Sequence, residues 1–159
     1  MQEIKMKKIL PGAGVVVVRK FDNEIKFLAL KQFNTGNDKF SMGLFDIPKG
    51  IKEDDESFFR CAIRECFEEA NINLTEGDFI WGDQFIKLSK LIVFLAITEN
   101  DFKIKQNPVT GIQEHESGAW LSAEEIKTNI LPWLVPAIDW AVSIVENNRK
   151  CTSTFQRYN

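Results

Sequence analysis

The segment 45–72, FDIPKGIKEDDESFFRCAIRECFEEANI, constrains this chain most, because its apolar pattern changes period partway along. Its beginning indicates a short strand that ends at Pro48, since proline has no amide with which to continue a ladder. Residues 56–70 then show the spacing of a helix with one apolar face. The apolar residues that share this spacing are Phe59, Ile63, Cys66, Phe67 and Ala70. The segment therefore predicts a strand, a loop and one amphipathic helix.

Both ends of this helix carry recognisable signals. Asp54 or Asp55 stands where an N-cap residue is expected, because short polar side chains accept a hydrogen bond from the free amides of the first turn. Asn71 follows the last apolar residue, where a residue in the left-handed conformation commonly ends a helix. Asparagine tolerates that conformation better than other residues with a side chain. We therefore expect the helix to end at Asn71.

The rest of the chain predicts strands on both sides of this helix and a second long helix near the end. A capping box formed by Ser122 and Glu125 indicates the start of a short helix. Residues 131–147 predict the last helix, with Pro136 either kinking it or marking its true start. This order predicts an α/β sandwich in which helices cover a mixed sheet. The further strands are expected at 12–19 and 26–32, joined as a hairpin, and at 79–87, 90–98 and 116–121.

Composition indicates one globular domain in a reducing compartment. The chain has 159 residues, of which 44% are hydrophobic and 27% charged, so we expect a single domain with flexible ends at 1–8 and 148–159. The three cysteines are odd in number and have no zinc-type spacing, so they indicate neither a disulfide framework nor a zinc site. This favours a reducing, cytoplasmic location. The N-terminus lacks the apolar run of a signal peptide, and no stretch is long enough to span a bilayer. A net charge of −3 gives no general attraction to DNA.

Three glutamates of the predicted helix lie on one face. Glu65, Glu68 and Glu69 are spaced i, i+3 and i+4, and the apolar residues occupy the opposite flank. Like charges at this spacing destabilise a helix by roughly 0.2 to 0.5 kcal/mol per pair unless something compensates for them. Surface ion pairs with Arg60 and Arg64 would compensate. A divalent cation would also compensate, since hard cations prefer carboxylate oxygens.

The complete spacing favours the cation, and the residues that define it are, in chain order, Gly50, Glu56, Arg64, Glu65, Cys66, Glu68, Glu69 and Ile72. This spacing resembles the Nudix box of the Nudix hydrolase family, and by ordinary residue frequencies such a match arises by chance on the order of once in a million start positions. One position departs from the family pattern, in which glycine usually stands at the place of Asn71.

The resemblance implies a fold and a chemistry. Nudix hydrolases are α/β/α sandwiches that hydrolyse a nucleoside diphosphate linked to another group, through attack on phosphorus by water that a divalent metal activates. Arg64 would hold a neighbouring carboxylate in place, and Glu56 would be a structural partner at the helix start. Glu69 would be both a catalytic residue and a metal ligand. The full set of implied ligands for Mg²⁺, or for Mn²⁺ in its place, is Glu65, Glu68 and Glu69 with the carbonyl of Gly50.

Two further segments bear on the substrate. The segment 113–121, QEHESGAWL, resembles the part of asymmetrical diadenosine tetraphosphate hydrolases in which a Glu-His pair precedes a Trp-Leu pair. Glu114 would then be a metal ligand or the general base, and we favour it over Glu116. His115, the one histidine of the chain, is expected to be a bystander. Lys49, in the sequence PKG, either contacts a substrate phosphate or is a solvated turn lysine.

Two alternatives stay open at this point. The same features resemble messenger-RNA decapping enzymes, which makes an RNA 5′ end a second candidate substrate, although the acidic charge balance weighs against it. The segment 80–90 lacks the tyrosine found in many dinucleoside polyphosphate hydrolases and the proline typical of ADP-ribose hydrolases. Trp81 and Phe85 are the aromatic residues available to stack a base, although aromatic residues that alternate in a strand more often belong to the core. A non-catalytic nucleotide sensor is a third hypothesis. The retained helix glutamates weigh against it.

Overall fold

A computed structural model describes residues 10–33, 43–108 and 110–156 of the chain. Seven strands and three α-helices make up this part, together with short 3-10 turns at Glu76–Asp78 and Pro132–Leu134. The strands are β1 (Gly12–Phe21), β2 (Glu24–Gln32), β3 (Phe45–Asp46), β4 (Lys49–Ile51), β5 (Ile86–Leu88), β6 (Leu91–Ile97) and β7 (His115–Leu121). The helices are α1 (Phe58–Ala70), α2 (Ala123–Asn129) and α3 (Val135–Gln156).

The strands form one mixed sheet, as the sequence predicts. Strands β1 and β2 are an antiparallel hairpin, and β1 runs parallel to β6 on its other side. Strand β5 then pairs with β6, and β7 pairs with β2, both antiparallel. The buried run of β-branched residues in β1 is thereby covered by neighbours on both edges, which suits an internal strand.

The β1–β2 hairpin splits, and the gap holds the segment that begins the candidate site. The two arms pair near their turn, where Val18 faces Phe27, and separate beyond it. Strand β3 pairs with β2, and β4 pairs with β1, so both lie between the arms. Pro48 separates β3 from β4, and its carbonyl oxygen accepts a hydrogen bond of 3.0 Å from the amide of Val15. The strand predicted to end at this proline is followed directly by a second one.

Helices cover both faces of the sheet, which confirms the α/β/α sandwich. Two apolar clusters fill the space between the layers, because alternate residues of β1 point to opposite faces. One cluster joins α1 to the sheet through Val15, Val17, Leu28, Cys61, Ala62 and Cys66. The other joins α2 and α3 to the sheet through Val16, Val18, Phe27, Ile126, Leu134 and Ile138.

Helix α1 begins later than the sequence predicts and ends where predicted. Its N-cap is Ser57, whose Oγ accepts a hydrogen bond of 3.1 Å from the amide of Arg60. The prediction of Asp54 or Asp55 as N-cap is wrong, because these residues form a turn before the helix. Asn71 has φ 57° and ψ 28°, which confirms the left-handed C-cap.

Two other boundaries differ from the sequence prediction. The strand expected over 79–87 is present only at β5, because Gly82 adopts a φ of 87° and the preceding residues form turns. Phe79 instead packs into the core, with its ring centroid 4.5 Å from that of Phe59. Helix α3 has Pro136 in its first turn, which marks the true start of the helix.

The C-terminal end of the chain is more ordered than the sequence predicts. Helix α3 continues to Gln156, into the segment expected to be flexible, whereas residues 1–8 and 157–159 lie outside the described residues. Cys61 and Cys66 are buried free thiols. Among the described residues, no helix combines the length and the apolar character needed to cross a membrane.

Candidate metal and catalytic site

The predicted metal-binding glutamates lie on the inner face of α1. Glu65 is 8% exposed and Glu69 is 7% exposed, and both share this face with the buried thiols of Cys61 and Cys66. Phe67, which the helical pattern places on the buried flank, is 42% exposed. The prediction of an outer carboxylate face opposite a fully apolar flank is therefore wrong. The reason lies in β4, which offers space and a donor to charged groups.

Strand β4 receives the two carboxylates because it combines a glycine with a free amide. A Cβ atom at Gly50 would collide with the carboxylate of Glu65, so glycine at this position makes the approach possible. The amide of Lys49 donates a hydrogen bond of 2.6 Å to Oε2 of Glu69. The carbonyl of Gly50, an implied metal ligand, lies 3.6 Å from Sγ of Cys61. Its role as a ligand stays a prediction.

Arg64 holds the carboxylates of the Nudix box together. Its Nε and Nη2 donate to the two oxygens of Glu56 at 2.7 and 2.9 Å, and its Nη2 also donates to the carbonyl of Ile51 at 3.0 Å. Its Nη1 donates to Glu65 and to Glu68, each at 3.0 Å. The hydrogen bonds from Arg64 keep the pKa of Glu56 below its usual value. Arg64 and Glu56 are in direct contact, and the roles that the resemblance implies for them stay predictions.

Strand β7 brings a fourth carboxylate to the helix. Glu114 immediately precedes this strand, and its carboxylate contacts that of Glu69. One ligand atom each from Glu69, Glu114 and His115 lie within 4.8 Å of one another. Burial raises the pKa of Glu69 well above its usual value, and the contact with Glu114 raises it further. Glu116 is exposed and does not belong to this cluster.

Asp46 is a buried member of the site that the sequence did not single out. It is 2% exposed and accepts hydrogen bonds from Nζ of Lys49 at 2.8 Å and from Nε2 of Gln32 at 3.3 Å. Although burial favours its neutral form, the nearby ring of His115 and the charge of Lys49 hold the pKa of Asp46 below its usual value. The Lys49 side chain therefore already has a partner, and its contact with substrate stays a prediction. The detectable signal was an aspartate at the end of a buried strand.

These residues fit a divalent cation. Several carboxylates that are buried or partly buried face one another, and oxygen donors of this kind suit Mg²⁺ and Mn²⁺. The pKa of Glu65 is raised to about 7, mainly by burial. Arg64 lowers this pKa, and repulsion from the charges of Glu68 and Glu114 raises it. A cation would remove this repulsion. Of the predicted ligands, Glu69 and Glu114 have ligand atoms within 4.8 Å of each other. The roles of Glu65 and Glu68 as ligands stay predictions.

The raised pKa of Glu65 predicts an unusual pH dependence for the metal-free protein. Because the folded state holds this proton between pH 4.5 and about 7 and the unfolded state does not, the stabilisation is present below pH 4.5 and is lost as the pH rises to about 7. The shift corresponds to at most about 3 kcal/mol, since solvent screens part of it. We expect the free energy of unfolding, measured with urea in EDTA, to fall between pH 5 and pH 8.

The control for this measurement is Glu65→Gln, which cannot titrate. Its free energy of unfolding should change less between pH 5 and pH 8 than that of the original protein. Glu69, whose pKa is also raised, is present in both proteins. Glu56 and Asp46, two of the groups with a lowered pKa, lose their stabilisation only as the pH falls below about their ordinary values of 4.5 and 3.8, outside this window. Equal pH dependence in the two proteins would contradict the assignment to Glu65.

Solved structures of several proteins share this fold. A Caenorhabditis elegans Ap4A hydrolase in a binary complex is 22% identical and has a TM-score of 0.64, covering 86% of this chain and 98% of its own. The MutT protein from Methanosarcina mazei is also 22% identical, with a TM-score of 0.57 and coverage of 89% and 99%. The NUDIX domain of Shewanella oneidensis NrtR, complexed with ADP ribose, is 15% identical, with a TM-score of 0.57 and coverage of 96% and 94%.

At these identities the structural likeness establishes the fold alone. No curated protein matches the chain by sequence. The model of the NUDIX domain matches residues 8–141, which include the whole site from Asp46 to His115. In the structure, the residues of this segment meet around Arg64 and β4. The chain therefore belongs to the NUDIX domain family.

Proposed function

We propose that this protein is a metal-dependent pyrophosphohydrolase that cleaves a pyrophosphate bond in a nucleoside polyphosphate. The observation that carries the proposal is that Glu65 and Glu69 lie against β4 and that Glu114 reaches Glu69. A pyrophosphate is negatively charged on its non-bridging oxygens, so an anionic nucleophile is repelled until cations neutralise that charge. When bound, Mg²⁺ or Mn²⁺ supplies this neutralisation and acidifies water.

The protein's own groups have distinct tasks in this reaction. The glutamates of α1 provide fixed oxygen donors, with Arg64 holding Glu65 and Glu68 and the amide of Lys49 holding Glu69. Glu114 is exposed and contacts Glu69, so its carboxylate can accept a proton from the attacking water at the open side of the site. We therefore assign Glu114 as the general base, and it also contributes to metal binding.

A dinucleoside polyphosphate such as diadenosine tetraphosphate is the substrate that we favour. The segment 113–121, which resembles the corresponding part of asymmetrical diadenosine tetraphosphate hydrolases, supplies Glu114 next to the buried His115 at the start of β7. The solved Ap4A hydrolase from C. elegans, which covers most of this chain, supports the same choice. Phe85 is 53% exposed and is available to stack on a base.

Product analysis tests this proposal. The protein is incubated with Mg²⁺ and, separately, with diadenosine tetraphosphate, ADP-ribose, nucleoside triphosphates, and capped or 5′-triphosphorylated RNA, and the products are separated by chromatography. We expect ATP and AMP from the dinucleotide and little action on RNA. Cleavage of RNA 5′ ends alone would move the protein to the decapping branch. Binding of nucleotides without any cleavage would support a sensor and contradict the proposal.

The assignment of the general base predicts different effects for two neighbouring glutamates. Glu114→Gln should lower kcat by about a hundredfold or more, because general base catalysis typically contributes factors of 10² to 10⁴. Glu116→Gln, the same chemical change two residues away at an exposed position outside the cluster, should leave kcat within about twofold. Steady-state kinetics at saturating Mg²⁺ checks both. A larger loss in Glu116→Gln would transfer the base to that residue.

A further inference from the structure

His115 has an environment that does not suit a bystander. The side chain is 5% exposed, and its Nδ1 atom is buried without a hydrogen-bond partner among the described residues. Buried ring nitrogens are normally paired, because an unpaired one has lost its hydrogen bonds to water without replacement. The position of His115 therefore calls for a partner that binds a nitrogen lone pair or accepts its proton.

The groups around His115 indicate what that partner is. One of its ring nitrogens belongs to the group with Glu69 and Glu114, in which the three ligand atoms lie within 4.8 Å of one another. Ligands bonded to one metal ion at about 2.0 to 2.2 Å lie at most roughly 4.4 Å apart, so a small side-chain rotation would let all three share an ion. The group combines two carboxylates with one imidazole, and imidazole is a ligand that suits Zn²⁺ and several first-row transition metals.

The carboxylate of Asp46 faces the imidazole ring of His115 and is placed to orient it. Its Oδ2 lies 4.0 Å from Nε2 of His115, and Asp46 is itself fixed by Lys49, Gln32 and the amide of Ile47. Metal-binding histidines usually donate one ring N–H to a carboxylate, which orients the lone pair of the other nitrogen towards the metal. With Asp46 facing Nε2, the nitrogen left for a metal is Nδ1, the atom without a partner.

We propose that His115 is a metal ligand, and that it forms with Glu69 and Glu114 a mixed nitrogen and oxygen site that prefers a transition metal such as Zn²⁺ to Mg²⁺. This inference rests on the proposed function, since it uses two of the same carboxylates, and it specifies the metal of that site. Imidazole binds Zn²⁺ well, whereas Mg²⁺ takes oxygen ligands almost exclusively. Substitution of His115 should therefore weaken the binding of the two ions unequally.

The decisive measurement is nitrogen NMR on the untagged protein, labelled with ¹⁵N-histidine. Because the chain has one histidine, both ring signals belong to His115. We expect one equivalent of Zn²⁺ to shift the signal of one ring nitrogen into the range of a metal-bound imidazole, and an excess of Mg²⁺ to cause no such shift. Zn²⁺ binding that leaves both signals unchanged, or no Zn²⁺ binding at all, would overturn the proposal. This experiment needs no variant and no substrate.

Calorimetric titration of variants provides a second readout. His115→Asn should bind Zn²⁺ about tenfold or more weakly, while its affinity for Mg²⁺ changes less than about threefold. Glu116→Gln, next to His115 but outside the cluster, is the matched control and should bind both ions as the original protein does. Equal losses for the two ions in His115→Asn would contradict a ligand role. If the protein hydrolyses a nucleotide with Mg²⁺ but its histidine NMR signals do not shift with Zn²⁺, this inference alone is overturned. If the histidine signal shifts with Zn²⁺ but no nucleotide is hydrolysed with Mg²⁺, the proposed activity alone is overturned.

Discussion

Glu69→Gln should lower kcat for pyrophosphate hydrolysis by about a thousandfold or more while the fold stays intact. The carboxylate of Glu69 lies beside those of Glu65 and Glu114 and can supply a negatively charged oxygen to a cation, which an amide cannot. The fold should persist, because the amide oxygen of glutamine can still accept the hydrogen bond from the amide of Lys49. The measurement is steady-state kinetics together with thermal unfolding in EDTA.

Glu69→Gln should not lower the melting temperature of the metal-free protein. Burial and the contact with Glu114 raise the pKa of Glu69, which means that its ionised form is disfavoured in the metal-free fold. A neutral glutamine should therefore give the same or a higher melting temperature in EDTA at pH 8. Glu76→Gln, an exposed glutamate that pairs with Arg60 at 3.2 Å, is the control for the same substitution away from the site. Near-normal turnover in Glu69→Gln would remove this residue from the metal site.

Arg64→Met should destabilise the protein by about 3 to 5 kcal/mol, because it leaves several partly buried carboxylates without their cation. Arg64 is 24% exposed on its side chain and contacts Glu56, Glu65 and Glu68 within 3.0 Å. For a domain of this size the loss corresponds to a fall in melting temperature on the order of 10 °C. Calorimetry in EDTA at pH 8 measures it, and turnover should fall with it since Glu65 and Glu68 lose their positions.

Arg60→Met is the matched control on the same helix. Arg60 is 63% exposed on its side chain and its one ion pair in the described part of the chain, with Glu76, is also exposed, so its loss should cost under about 1 kcal/mol. Arg64→Lys should recover little, since an ammonium cannot reproduce the paired hydrogen bonds to Glu56. If the two arginine-to-methionine variants melted together, the network around Arg64 would have no special energetic role.

The order and kind of the elements were predictable because they depend on local pattern. The structure confirms four features that depend only on residues near one another in the sequence. They are the β-branched run of β1, the β1–β2 hairpin, the period change into α1, and the capping box of Ser122 and Glu125. Asn71 belongs with these, since a left-handed C-cap depends on one residue. The expected strand over 79–87 is absent before Ile86, where Gly82 adopts a φ of 87° and Phe79 packs against Phe59.

The sequence alone determined the family-type spacing, the element order and the identity of the acids, because these depend on residues near one another in the chain. Tertiary structure decided which way the acids point. Glu65 and Glu69 turn inward because Gly50 leaves space and the amide of Lys49 donates to Glu69, contacts between residues 15 to 20 positions apart. The meeting of Asp46 with His115 likewise depends on β2 pairing with both β3 and β7, which no local pattern specifies.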